Sequence, residues 1–183
     1  FWGDDSGRHP EEGGSDLWKM YKRTMDIAER LTGYVLYILV GFMVVVVFLQ
    51  VIFRFILHAS LPWSEEASRY IMIWISLLGA SVGLRHKAHI GVEALFNYLG
   101  TAKRRLFSLL IGFVQVYFFG AMIFYACNIL KVVIKQKSPA MEISMGLPYS
   151  SLIVGGGLML LYSVEFLGDT IKDCRSLREE GKS

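Results

Sequence analysis

The chain has 183 residues, of which 54% are hydrophobic and 19% are charged, and its formal net charge is +3. Soluble domains carry roughly 25% charged residues, so this composition argues against an ordinary soluble domain. Cys127 and Cys174 belong to no C-x-x-C pair, which argues against a disulfide scaffold or a thiol redox centre. The basic residues lie beside apolar segments, which argues against nucleic-acid binding.

Long segments without Asp, Glu, Lys, Arg or His predict membrane-spanning helices. Three of them are residues 31–53, 106–130 and 143–164, and a shorter one covers 70–84. A hydrocarbon core of about 30 Å needs about 20 helical residues to cross it. The sequence therefore predicts an all-α membrane protein whose four spans lie at about 31–56, 65–84, 105–130 and 147–167.

The segment before the first span has two parts. Residues 1–16 are Gly-rich and acidic without a period, which predicts a disordered leader or a cloning remnant. Over 16–30, apolar and basic residues fall on opposite sides of a helical wheel. We expect this amphipathic helix to lie at the membrane interface, and one long first helix protruding into water is the alternative. Lys19, Lys22 and Arg23 are predicted to bind the head groups of anionic phospholipids.

Charged residues also meet around the turn between the first two spans. Arg54 lies near the end of the first span, and Glu65, Glu66 and Arg69 open the second. A short loop should bring these residues together, either as an ion-pair network that pins the hairpin or as a surface that contacts a partner. Trp63 in the same turn suits an interfacial aromatic belt.

The segment 85–105 follows the second span. An apolar stripe predicts a second interfacial helix at about 89–99. Arg85 and His89 are candidates for structural or partner contacts, but no third ligand accompanies His86 and His89, so we expect no metal site. The basic residues before the third span are also predicted to bind lipid head groups. They are Lys103, Arg104 and Arg105.

Small residues recur at helical spacing in the second and fourth spans. Such residues let helices approach closely in a membrane. We expect them to pack helices within the chain or against a partner. They are Gly79, Gly83, Ser151, Gly155 and Gly156.

The distribution of basic residues predicts the orientation. With both termini in the cytoplasm, fourteen of the 19 Lys and Arg residues lie on the cytoplasmic side, including those of a charged tail at 173–183. No ionisable residue lies at mid-depth in any span, which argues against an ion pathway of the chain's own. No nucleophile–base pair is visible, so we expect no enzymatic activity.

These features together resemble a known family. The run VIFRFILHASLPWSEEASRYIMIWISLLGASVGLRHKAHIGVEAL, residues 51–95, resembles the small membrane subunit, of DctQ type, of tripartite ATP-independent periplasmic (TRAP) transporters. The matching features are Arg54, the Pro-Trp-Ser-Glu-Glu turn at 62–66, and the pattern over 79–90 that contains Arg85 and His89. Residues 138–149 resemble the family's start of the fourth span.

The resemblance implies a role in the cytoplasmic (inner) membrane of a bacterium or archaeon. In this family a periplasmic binding protein captures an organic acid, and a large multi-span subunit moves it inward with sodium. The small subunit is expected to brace the large one and to help present a docking face to the binding protein. Sodium is expected in the large subunit, so this chain should need no cofactor.

Two other readings of the residues stay open. One is a self-contained small transporter, and the other is a membrane enzyme that acts on lipid or quinone. The resemblance leaves the substrate open among dicarboxylates, sialic acids and small sulfonates.

Overall fold

The computed structural model describes residues 16–59, 61–96 and 101–180, with side chains at 18–59, 61–86 and 106–172. Its four helices are α1 (Asp16–Phe55), α2 (Pro62–Phe96), α3 (Thr101–Val133) and α4 (Gly146–Glu180). Each contains a segment long and apolar enough to cross a membrane. The predicted all-α membrane fold with four spans is therefore confirmed.

The spanning segments are close to the predicted ones. They are Trp18–Phe55, Pro62–His86, Leu106–Val133 and Gly146–Lys172. Local signals set two of the starts. Pro62 takes the first position of α2, where its missing N–H costs nothing, and the Ser144 hydroxyl accepts the N–H of Gly146 at 3.1 Å at the start of α4.

The first helix corrects one prediction. An interfacial helix over 16–30 and a separate span over 31–56 were expected, but α1 is one unbroken helix of 40 residues. At 1.5 Å per residue it is about 60 Å long. No Pro or Gly lies between Asp16 and Thr32, so nothing interrupts the backbone hydrogen bonds there. The structure thus has one long first helix, as in the alternative, and the placement of residues 16–30 at the membrane interface or in water stays a prediction.

The ends of α2 and α4 also extend further than expected. The predicted interfacial helix at 89–99 is continuous with α2 as far as Phe96, and the predicted tail is helical as far as Glu180. The remaining residues of these predictions, 1–15, 97–100 and 181–183, lie outside the described residues.

The helices pack side by side in the order α1, α2, α4, α3. The inner helices α2 and α4 are the more buried pair, while α1 and α3 expose most of their spanning surface. The largest fully buried side chains in the described chain are small. They are Ser64, Ser81, Ser151 and Ser163. Because serines take little space, and Ser81 and Ser151 donate to carbonyls of their own helices, the two inner helices approach closely.

Successive helices run in opposite directions and give the molecule two ends. We call the end that contains the starts of α1 and α3 the termini end, and the opposite end the hairpin end. Arg85 lies at the termini end and Glu66 at the hairpin end of α2. They are about 28 Å apart along the helix axis, close to the thickness of a hydrocarbon core of about 30 Å.

Candidate functional site at the two ends of the helices

Arg85 joins three helices at the termini end. Its Nη2 lies 2.6 Å from Asp26 Oδ1 of α1 and 3.2 Å from Glu165 Oε1 of α4. Its Nη1 pairs with Glu29 and donates to the Met25 carbonyl at 3.0 Å. We call Arg85, Asp26, Glu29 and Glu165 the arginine cluster. Its guanidinium fork is the group that fastens α1 and α4 to α2.

Most of the arginine cluster is removed from water, although its Asp26 side chain is 49% exposed. The Arg85 side chain is 12% exposed and that of Glu165 is 11% exposed. The guanidinium also lies 5.3 Å from the centre of the Tyr162 ring, within the range of a cation–π contact. His86 Nε2 lies 2.6 Å from Glu29 Oε1. Three carboxylates face one guanidinium, so removal of the arginine would leave buried negative charge without a partner.

A second cluster lies further along the termini end. The Trp18 indole donates to Asp169 Oδ1 at 3.3 Å, and Lys22 Nζ lies 2.8 Å from the same oxygen. Lys172 Nζ lies 4.1 Å from the centre of the Trp18 ring. We call Trp18, Lys22, Asp169 and Lys172 the Trp18 cluster. Together with a hydrogen bond of 2.7 Å from the Tyr21 hydroxyl to a carbonyl of α4, it fixes the start of α1 on α4.

Glu66 organises the hairpin end. Its Oε2 accepts the backbone N–H groups of Ala140 at 3.0 Å and Met141 at 2.9 Å, and its other oxygen accepts the Tyr70 hydroxyl. The Tyr70 hydroxyl also lies 3.1 Å from the Met145 sulfur. Glu66 is 7% exposed. The carboxylate therefore fixes the connection between α3 and α4 onto the start of α2.

A cavity of about 560 Å³ opens beside Glu66. Its wall is mostly apolar and is formed by the starts of α2 and α4 and by the connection between α3 and α4. Glu65 and Arg69 are exposed on its lining. The other lining residues include Pro62, Ile73, Pro139, Pro148, Tyr149 and Leu152.

The predicted ion-pair network at this end was wrong. Among these described side chains, no ion pair joins Arg54, Glu65, Glu66 and Arg69. Glu66 faces inward and binds backbone N–H groups, whereas the other three are exposed. Consecutive residues of a helix point about 100° apart, so Glu65 remains exposed while Glu66 points toward the connection between α3 and α4. Trp63 is also exposed, at the start of α2.

The small residues divide into two groups. A Cβ at Gly155 would lie 2.9 Å from Leu77 Cβ of α2, and one at Gly156 would lie 2.6 Å from Met122 Cε of α3. These two glycines and the buried Ser151 lie where α4 approaches its neighbours. By contrast, no neighbouring atom of the described chain lies within 4 Å of a Cβ at Gly79 or Gly83.

The residues predicted to bind lipid lie in different surroundings. Lys19 and Arg23 are exposed on α1, whereas Lys22 is paired with Asp169. The side chains of His89, Lys103, Arg104 and Arg105 lie outside the described ones, although the backbone of each is helical.

Sequence reasoning named Arg85 but missed its partners Asp26, Glu29 and Glu165. A signal for them was present. Glu29, Arg85 and Glu165 each lie at the edge of an uncharged segment, and the predicted topology places these edges on the same side of the membrane. Opposite charges at one membrane boundary are natural partners across neighbouring helices.

Residues 43–173 match a family model described as tripartite ATP-independent periplasmic transporters, DctQ component. The chain belongs to this family. The match covers the arginine cluster except its α1 residues, and it also covers the Glu66 site. The match confirms the family predicted from the sequence. The chain is a TRAP transporter small permease subunit.

Several curated proteins are similar to this small permease subunit. The isethionate TRAP transporter permease protein DctMQ of Oleidesulfovibrio alaskensis is 26% identical over 147 residues, which cover 74% of this chain and 23% of that protein. The C4-dicarboxylate TRAP transporter small permease protein DctQ of Rhodobacter capsulatus is 30% identical over 102 residues, 55% of this chain and 45% of that protein.

A third relative is the sialic acid TRAP transporter permease protein SiaT of Haemophilus influenzae, 30% identical over 73 residues, 38% of this chain and 12% of that protein. The chain spans less than half the length of each of these three relatives. All three are named as transporter permeases. With four spanning helices, the small permease subunit is a multi-pass protein of the inner membrane.

Proposed function

We propose that this small permease subunit braces a large permease subunit in a sodium-coupled TRAP transporter for an organic acid. The observation that carries the proposal is the contrast between polar clusters that fasten the helices at both ends and the broad apolar surfaces of the outer helices. A brace needs a fixed frame and a surface on which the partner rests. The arginine cluster and Glu66 supply the frame, and the outer faces of the spans supply the surface.

The exposed apolar surface is the evidence in this chain for a protein partner in the membrane. Side chains such as Leu110 and Phe113 on α3 are 58% and 61% exposed. Large exposed apolar surfaces mark contacts with lipid or protein. The match to the DctMQ permease covers only 23% of that protein, so a sequence like this one occurs there within a much longer permease chain.

The two ends suit different surroundings. We assign both termini to the cytoplasm, where Lys19 and Arg23 are exposed and would attract anionic phospholipids. The basic residues at the start of α3, Lys103, Arg104 and Arg105, lie at the same end. The hairpin end then faces the periplasm, and its exposed Trp63, Glu65 and Arg69 offer a docking face to the binding protein.

The names of the relatives support an organic acid as the proposed substrate class. Their names specify isethionate, C4-dicarboxylates and sialic acid, which are all organic acids. We assign sodium to the large subunit and no cofactor or catalytic step to this chain, because its uncharged span segments offer no ionisable group at mid-depth.

Co-purification tests the bracing role. The large subunit carries an affinity tag, and this chain is expressed untagged in the same cells. We expect this chain to be retained in a fixed ratio through detergent extraction and gel filtration. A chain that always elutes without the large subunit would contradict the proposal.

A further inference from the structure

Three polar side chains face outward from the spanning part of α3. Tyr117 is 80% exposed and Tyr125 is 65% exposed, and the Asn128 side chain is exposed as well. All three lie on one side of the helix, since they are separated by eight and three residues. In the part of the chain that the structure describes, no hydrogen bond involves any of their side-chain polar groups.

Several other hydroxyl groups in the spans do have partners, although the buried Tyr162 hydroxyl of α4 has none in the described chain. Thr32, Ser76 and Ser163 each donate to a carbonyl four residues earlier in the same helix. The Tyr21 hydroxyl donates to the Leu161 carbonyl, and Tyr70 donates to Glu66. A tyrosine on a helix surface cannot reach its own backbone carbonyls, so the hydroxyls of Tyr117 and Tyr125 need a partner outside the helix.

The depth of these groups makes an unpaired state costly. Tyr117 lies about 18 Å inside the uncharged segment 106–130, measured along the axis from Arg105. Tyr125 is closer to the other edge, but helical side chains lean toward the helix N-terminus, so its hydroxyl leans toward the midplane. Hydrocarbon offers no hydrogen-bond partner to either group.

The outer face of α1 is different. Tyr34 and Tyr37 are exposed there, but they lie in the first third of the segment 31–53 and lean toward the nearer edge. In the middle of the segment, exposed side chains are apolar. They include Ile38, Phe42, Val45 and Phe48. Lipid chains can cover this apolar surface of α1 at no cost, whereas they leave the polar groups on the surface of α3 without hydrogen-bond partners.

We infer that the face of α3 that bears Tyr117, Tyr125 and Asn128 docks against a transmembrane helix of the large permease subunit, while the middle of α1 faces lipid. The inference rests on the proposed bracing function and specifies which surface of this chain contacts the large subunit. The partner helix must present hydrogen-bonding groups, such as amide or hydroxyl side chains or carbonyls freed at a helix break, opposite the two phenols.

Site-specific photo-crosslinking in the intact complex tests this surface. The photoreactive residue p-benzoylphenylalanine replaces Tyr117 or Tyr125, and Phe48 of α1 serves as the matched control because it is exposed to a similar degree. After irradiation in membranes, we expect the two α3 probes to link to the large subunit and the Phe48 probe to link to lipid only.

Each other outcome has a defined meaning. Links to the large subunit from Phe48, with or without links from α3, overturn the assignment of α1 to lipid. Links from α3 only to lipid or to a second copy of this chain overturn the assigned partner while leaving co-purification intact. A chain that purifies without the large subunit overturns the proposed function and this inference with it.

Single-hydroxyl variants give a second readout. The loss of one interhelical hydrogen bond in a membrane weakens the association of the two helices by about threefold to tenfold. We expect Tyr117→Phe to reduce retention by the tagged large subunit in this range, and Tyr37→Phe on α1 to leave retention unchanged. Equal retention of both variants would contradict a hydrogen bond from Tyr117.

Discussion

Arg85 of α2 and Glu165 of α4 lie 3.2 Å apart at the edge of the spanning helices, and the same guanidinium group binds two carboxylates of α1. One side chain therefore holds three helices in register at the termini end. At the hairpin end, about 28 Å away along α2, Glu66 holds the connection between α3 and α4. Polar groups thus join α1, α2 and α4 at the termini end, and join α2 to the connection between α3 and α4 at the hairpin end.

Replacement of Arg85 should loosen the termini end. We expect Arg85→Met to destabilise the chain by about 3 kcal/mol or more, because three carboxylates lose their counter-charge. Arg85→Lys should cost less, since it keeps the charge but loses the fork that binds several carboxylates. Thermal unfolding in detergent measures both. Arg69→Met is the control on the same helix, because Arg69 is exposed. Equal melting temperatures for Arg85→Met and Arg69→Met would contradict the role of the arginine cluster.

Removal of the Glu66 carboxylate should free the connection between α3 and α4. In Glu66→Ala the N–H groups of Ala140 and Met141 lose their acceptor, at a cost of about 1.5–3 kcal/mol for each hydrogen bond to the charged carboxylate. We expect faster hydrogen exchange at these two amides. Glu65→Ala is the matched control, because the neighbouring carboxylate is exposed. The interpretation fails if both variants exchange at the wild-type rate.

A methyl group at Gly168 should displace the start of α1. The Trp18 ring occupies the position that a Cβ would take, so Gly168→Ala must shift the indole away from Asp169. Overpacking of this kind costs about 1–3 kcal/mol. Gly157→Ala on the same helix meets no neighbouring atom within 4 Å and should be neutral. Thermal unfolding of the two variants checks this, and a stable Gly168→Ala protein would show that the indole is not confined there.

The close approach of α2 and α4 depends on Gly155. We expect Gly155→Ala to destabilise the isolated chain, because its Cβ would lie 2.9 Å from Leu77 Cβ and close to the backbone of α2. Gly79→Ala should be neutral in the isolated chain, since a Cβ there meets open space. The midpoint of unfolding in detergent distinguishes them. If Gly79→Ala were the more destabilising change, the packing of the two inner helices would need a different explanation.

Hydropathy predicted the four spans because each uncharged segment must cross a hydrocarbon core, and few alternatives exist for such a segment. It did not predict that α1 is continuous from Asp16, since an amphipathic segment can either lie on the membrane or extend the span. The contacts of Trp18, Tyr21 and Lys22 with α4 show how the start of α1 is held.

The polar clusters were harder to predict. Arg85 and Glu165 are 80 residues apart in the chain, and their pairing depends on the order in which the helices pack. A sequence with four spans does not specify that order. Glu66 binds backbone N–H groups, which every residue except proline offers, so no pattern of side chains could identify Ala140 and Met141 as its partners.

Reconstituted transport tests the central claim most directly. Proteoliposomes are prepared that contain this chain alone or this chain with the large subunit. The binding protein and an organic acid are added outside the vesicles, and an inward sodium gradient is applied. The account predicts uptake only when the large subunit is present. Sodium-driven uptake by this chain alone would contradict it.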